Sequence, residues 1–137
     1  MSDARPSLEH VPLILVVDDE STIRNGLSAF LEDSGYRVHR AQNGSEAMQF
    51  VRTAVPELIV TDYMMPEMSG DELAKRVRAI AAMARIPIIL ITGAGLPIEN
   101  MTPGLFTDIV AKPFSGAMLV SHIDMLLSHM GREASHQ

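Results

Sequence analysis

Five short runs of strand character, separated by longer amphipathic stretches, constrain this chain more than any other feature of it. The runs are Leu13–Val17, Arg37–Arg40, Leu58–Thr61, Ile86–Ile91 and Asp108–Ala111. Three of them are apolar on both faces, as suits strands covered by helices on both sides. Each is short and bounded by Pro, Gly or Asp, which disfavours a buried helix. The stretches between them carry helical spacing. Ile23, Leu27, Phe30 and Leu31 make one face, and Gly35 stops that helix. Ala47, Met48, Phe50, Val51 and Ala54 make a second, after an Asn43-Gly44-Ser45 turn. Ser69 and Glu72 read as a capping box before Leu73, Val77 and Ile80. Leu119, Ile123, Leu126 and Leu127 line the last helix, with Ser115 as its cap. Residues 94–104 hold Gly95, Pro97, Pro103 and Gly104, leaving room for one or two helical turns around Ile98–Met101.

Strand and helix thus alternate along an α/β chain, the pattern of a parallel sheet covered on both faces. With 137 residues, the chain has room for one domain and not for a second. Residues 1–11 read as a loose leader, 12–130 as the domain and 131–137 as a loose tail. The chain has no Cys, which removes disulfides, thiolate chemistry and cysteine-based metal sites. A net charge of −6 argues against broad electrostatic binding to nucleic acid or anionic lipid, and the lack of Trp against stacking on bases or sugars. No stretch reaches the length of a membrane span, and the start lacks a basic segment and a cleavage site, so the cytoplasm is the expected compartment.

In an open parallel sheet, ligands sit beyond the carboxyl ends of the strands, near the point where strand order reverses. Asp18 and Asp19 follow the first run, Asp62 the third, Thr92 the fourth and Lys112 the fifth. Carboxylates gathered within a few ångströms repel one another unless a cation compensates them. Oxygen donors of this kind suit Mg²⁺, with Mn²⁺ possible. Asp19 and Asp62 are the expected direct ligands, Asp18 a ligand or water holder, and the Met64 carbonyl an added backbone donor. The bland reading is that Asp18 and Asp19 cap a helix and that Asp62 serves a turn before Pro66. Their joint occurrence at two strand ends weakens it. Lys112 can neutralise the carboxylates or hold a phosphoryl oxygen, and Thr92 can donate to the same oxygen. Their bland readings are a surface lysine and a β-branched filler. No P-loop or dinucleotide-binding glycine pattern is present. A carboxylate beside a divalent metal, with Lys and Thr opposite, can act as a nucleophile toward phosphorus. Asp62 is the central candidate. None of the five histidines is given a role.

Val16-Val-Asp-Asp-Glu20, Asp62-Tyr-Met-Met-Pro-Glu-Met-Ser-Gly70, Ile91-Thr-Gly93 and Lys112-Pro-Phe114 occur in the order and approximate spacing of a known family. Over about residues 12–130 the chain resembles the receiver domain of two-component response regulators. The resemblance implies a flavodoxin-like (βα)5 sandwich of three layers, with a five-stranded parallel sheet in 2-1-3-4-5 order and five helices, the fourth short or irregular here. It implies Mg²⁺-dependent transfer of a phosphoryl group from a phosphohistidine, on a sensor histidine kinase or histidine phosphotransfer protein, to Asp62. By that likeness Asp18 and Asp19 bind the metal, Thr92 is the switch hydroxyl and Lys112 the phosphoryl-binding lysine. Ile109 stands three residues before Lys112, where the family usually has an aromatic partner for the switch hydroxyl. Met64 stands two residues after Asp62, and a thioether cannot orient an attacking water, so slow self-hydrolysis is expected. Output is expected through protein contact or phosphoryl relay, from a stand-alone regulator in preference to a piece of a hybrid kinase. Two alternatives are a receiver-like binding module without phosphorylation and a phosphatase of the haloacid dehalogenase type. The phosphatase would want an acidic residue at position 64, where this chain has Met.

Overall fold

Alternation within the strands decides the layering. The structure, a computed structural model, describes residues 11–93 and 103–135. Strands β1 (Leu13–Val17), β2 (Arg37–Ala41), β3 (Leu58–Asp62), β4 (Ile88–Thr92) and β5 (Asp108–Ala111) form one parallel sheet in the order β2-β1-β3-β4-β5. Leu15, Val17, Ile59 and Ile88 point to one face, where they pack with Ala47, Val51, Leu73 and Val77. Ile14, Val16, Val60, Ile89 and Ile91 point to the other, against Leu27, Leu31, Leu119 and Ile123. Helices α2 (Gly44–Val51) and α3 (Gly70–Arg78) therefore cover one face, and α1 (Ser21–Asp33) and α4 (Gly116–Ser135) the other. This is the sheet covered on both faces that the alternation implies, in the three-layer flavodoxin-like form that the resemblance implies. β3 and β4 are buried along their whole length, as central parallel strands must be. The edge strand β2 carries Arg37 and Arg40, charges that discourage pairing with a foreign strand.

The helix ends follow local chemistry. Asn43 accepts a hydrogen bond from the Glu46 N–H at 2.8 Å, and Ser115 one from the Met118 N–H at 3.2 Å. Ser69 accepts from the Glu72 N–H at 3.2 Å, one half of the expected capping box, while the Glu72 carboxylate pairs with Arg76 instead. After α1, Gly35 takes φ 103°, and the N–H of Tyr36 reaches back to the Leu31 carbonyl at 3.1 Å. Such a left-handed turn requires glycine at little cost.

Several boundaries differ from expectation. β4 begins at Ile88, not Ile86, because Pro87 has no N–H for the ladder, although its carbonyl accepts from Ile59 at 3.0 Å. β2 and β3 each run one residue further, to Ala41 and Asp62. Phe30 is 42% exposed and so does not belong to the α1 core face. A 3₁₀ turn at Ala81–Met83, not foreseen, follows α3. α4 continues through residues 131–135, which the polar composition assigns to a tail; once a helix is nucleated, each added residue brings its own hydrogen bond. Among the described residues there are four α-helices. The short segment expected around Ile98–Met101 lies outside them.

Candidate functional site

Strand order reverses between β1 and β3, and this opens a crevice at their carboxyl ends. Asp18 and Asp19 follow β1 directly, and Asp62 is the last residue of β3. One carboxylate oxygen from each of the three lies within 4.8 Å of the others. Asp18 and Asp62 are buried, at 3% and 5% exposure, whereas Asp19 is exposed. The set offers hard oxygen donors around one point, which is what a divalent cation of the Mg²⁺ or Ca²⁺ type requires.

Backbone contacts fix the crevice. The Asp18 N–H donates to the Ala41 carbonyl at 3.1 Å, extending the β1–β2 ladder one step past the strand. The Asp18 carboxylate accepts from the Glu20 N–H at 2.9 Å, and the Arg24 guanidinium donates to the Asp18 carbonyl at 2.9 Å. The first turn of α1 is thereby tied to the end of β1. Burial pushes the Asp18 carboxyl from its ordinary 3.8 up to about 6; the Glu20 N–H and Lys112 oppose this, and Asp62 and Asp19 add to it. Burial also raises Asp62, against the pull of Lys112 and the Tyr63 N–H. Two buried acids held above their ordinary range are groups that a cation would keep ionised.

Lys112 supplies part of that charge from the protein itself. Its ammonium lies 3.2 Å from the Asp62 carboxylate and 3.9 Å from that of Glu20. Its N–H donates to the Thr92 carbonyl at 2.8 Å, continuing the β4–β5 pairing beyond Ala111. The peptide between Lys112 and Pro113 is cis. Thr92 ends β4 and is buried, at 2% exposure. Register pairs Asp62 with Ile91 and Thr92 with Ala111, so residues 62, 92 and 112 share one edge of the sheet.

The loop after β3 is pinned at both ends. The Tyr63 N–H donates to the Ile91 carbonyl at 3.0 Å, and the Gly70 N–H to the Tyr63 carbonyl at 2.8 Å. A Cβ on Gly70 would lie 2.3 Å from the Asp62 carbonyl, so only glycine lets α3 begin this close to the strand end. Glu67 takes φ 71° within the loop. Met64 stands in this loop with its side chain 67% exposed.

Sequence reasoning gave Glu20 and Arg24 no role. The approach of Glu20 to Lys112 was available only in its adjacency to Asp18 and Asp19. It also missed a groove of about 620 Å³ between α1 and the start of α4, walled by Ile23, Leu27, Phe30 and Phe114 and reaching Lys112. Of the histidines, His122 Nδ1 contacts the Asp108 carboxylate and His39 stacks on Phe50 with ring centroids 3.9 Å apart. The first is a polar contact between β5 and α4, the second a stacking contact between β2 and α2.

A sequence model described as the response regulator receiver domain matches residues 14–124. The chain is 37% identical over 121 residues to the phosphate regulon transcriptional regulatory protein PhoB of Pseudomonas aeruginosa, covering 86% of this chain and 52% of that protein. It is 36% identical to hybrid signal transduction histidine kinase D of Dictyostelium discoideum, covering 91% of this chain and 8% of that protein. The chain thus spans about half the length of the first relative and a small part of the second. Among solved structures, the receiver domain of a signal transduction histidine kinase from Syntrophus aciditrophicus superposes with a TM-score of 0.79 at 32% identity, covering 87% of this chain and 92% of that one. The Vibrio cholerae chemotaxis protein CheY4 also superposes at 0.79, with 30% identity over 85% of this chain and 98% of that one.

Proposed function

Because the chain belongs to the response regulator receiver family, acting as a phosphoacceptor domain in signalling, we propose that Asp62 is its acceptor and that Asp18, Asp19 and Asp62, with the Met64 carbonyl, hold a Mg²⁺ ion, Mn²⁺ being an alternative. One observation carries the reading. Three carboxylates converge within 4.8 Å, and the Lys112 ammonium lies 3.2 Å from the central one.

In this reading an Asp62 oxygen attacks the phosphorus of a phosphohistidine. The phosphorus–nitrogen bond breaks, an acyl phosphate forms, and the released imidazole takes up a proton. A bound divalent cation supplies charge neutralisation at the phosphoryl oxygens. Lys112 exchanges its pairing with the Asp62 carboxylate for one with a phosphoryl oxygen, and the Thr92 hydroxyl donates to another. Drawing these two groups inward shifts the populations of the loop that follows β3. Thr92 acts without an aromatic partner at position 109, where Ile stands.

The phosphodonor is a sensor histidine kinase or a histidine phosphotransfer protein, and the groove that reaches Lys112 offers it an apolar surface. Residues 12–130 form the receiver unit, and output runs through protein contact or further relay. The expected compartment is the cytoplasm; no helix among the described residues is long and apolar enough to cross a membrane. Incubation with a small phosphoramidate or acyl phosphate tests the reading. It predicts Mg²⁺-dependent phosphoprotein that is lost in Asp62→Asn. Steady turnover of phosphomonoesters, or no incorporation at all, overturns it. A phosphotransfer profile against candidate kinases then identifies the partner.

A further inference from the structure

The Tyr63–Ser69 loop holds three methionines in three environments. Met68 is 9% exposed and sits in the core, and Met65 packs against that core. Met64 is 67% exposed, more than any other large apolar side chain among the described residues. The loop is tied at both ends, with the Tyr63 N–H donating to the Ile91 carbonyl and the Gly70 N–H to the Tyr63 carbonyl, and Met64 follows directly on the first of these ties. A hollow of about 340 Å³ is lined by Tyr63, Met64, Met65, Pro66 and Ser69. Hydrophobic burial does not account for a methionine so placed. Its thioether is both open to oxidants and two residues from the acceptor.

We propose that Met64 is an oxidation site whose conversion to the sulfoxide shortens the life of the phosphoryl group on Asp62. This rests on the reading of Asp62 as acceptor. The covalent step is two-electron oxidation of the thioether by a peroxide: the sulfur gains one oxygen, the O–O bond breaks, and hydrogen peroxide leaves as water. The sulfoxide replaces an apolar group that cannot orient water with a strong hydrogen-bond acceptor. A water held by that oxygen is aimed at phosphorus. Its attack breaks the bond from the Asp62 oxygen to phosphorus, returning the carboxylate and inorganic phosphate. One such hydrogen bond in the hydrolytic transition state accelerates phosphoryl loss about fivefold. Signalling through this domain would then fade faster under peroxide, and reduction of the sulfoxide would restore it.

The test compares the parent with Met64→Leu, which keeps an apolar side chain and cannot be oxidised. Both proteins are treated with hydrogen peroxide and the modified residues mapped by peptide mass spectrometry. Both are phosphorylated with a small donor and Mg²⁺, and decay is followed after the donor is removed. Met118 and Met125, 43% and 60% exposed on α4, oxidise in both proteins and serve as internal controls. The proposal predicts sulfoxide at Met64, decay about fivefold faster in the oxidised parent, and no peroxide effect in Met64→Leu. It also predicts faster decay in untreated Met64→Gln, which supplies a polar acceptor without any oxidation step. Equal peroxide effects in parent and Met64→Leu, an unchanged parent, or sulfoxide at Met125 with none at Met64 overturns it. If the untreated parent takes up no phosphoryl group, the acceptor reading itself fails and this inference falls with it.

Discussion

Replacing Asp18 by Asn should stabilise the metal-free protein. Asp18 is 3% exposed, and burial lifts its carboxyl from 3.8 to about 6. Keeping it ionised in the folded state therefore costs up to about 3 kcal/mol, at ~1.4 kcal/mol for each tenfold change in acidity. Asn carries no charge and retains an oxygen for the Glu20 N–H, so the hydrogen bond at 2.9 Å survives the substitution. The expected gain at neutral pH is about 1–3 kcal/mol, or roughly 4–12 °C in Tm for a domain of this size. The pH dependence follows from the direction of the shift. Below the ordinary value of 3.8 both folded and unfolded states carry the protonated acid, and the penalty is absent. It grows as pH rises and is complete above about 6, so the parent loses stability across that interval relative to the variant. Thermal unfolding in chelator, across pH, measures the gap directly. Adding Mg²⁺ should then stabilise the parent, by about 2.7 kcal/mol at a hundredfold excess over Kd, and the variant far less. A variant that melts below the parent in chelator at neutral pH, or that responds equally to Mg²⁺, would refute the assignment of Asp18 as a buried, ionised metal holder.

Three further outcomes are expected. Gly70→Ala forces a Cβ to within 2.3 Å of the Asp62 carbonyl, so it should cost at least about 1–3 kcal/mol in denaturant unfolding and slow phosphorylation; an unchanged midpoint contradicts the packing described. Lys112→Met removes the largest influence holding the Asp62 carboxyl down, so an NMR titration should find Asp62 displaced further upward, and an unmoved titration would show that the 3.2 Å pairing has no electrostatic effect. Met64→Asn should shorten the lifetime of the phosphoryl group by placing a water-orienting amide beside the acceptor, and equal decay rates would remove Met64 from any part in hydrolysis.

The sheet was legible in the sequence because parallel strands covered on both faces must be short, apolar and bounded by breakers. The gathering of polar residues at one edge of the sheet was legible for a related reason. Polar residues at the ends of buried strands have few structural explanations, and Asp18, Asp62, Thr92 and Lys112 all stand there. Side-chain placement across elements was not legible. Phe30 falls on the apolar face of α1 by spacing, yet it lies against the start of α4, where a Cβ on Gly116 would meet its ring at 3.0 Å. Helical periodicity reports which side a residue faces, not what the neighbouring element leaves room for. Arg78 is the last residue of α3. In the structure its guanidinium donates to the carbonyls of Leu105, Met83, Ala84 and Ile86, joining α3 to the approaches of β4 and β5. Nothing local to Arg78 encodes those partners, which come from segments up to 27 residues away. The contact of Glu20 with Lys112 is hidden for the same reason, being made only once β1 and β5 lie in one sheet.

Chemical trapping of the phosphorylated residue tests the central claim most directly. Borohydride reduces an aspartyl phosphate to homoserine, and peptide mass spectrometry then reads which side chain carried the phosphoryl group. After incubation with a small phosphodonor, the account predicts reduction at Asp62 alone, dependent on Mg²⁺ and abolished by chelator. Reduction at Asp18, Asp19 or Glu20, or reduction at Asp62 that proceeds equally without a divalent cation, would contradict it.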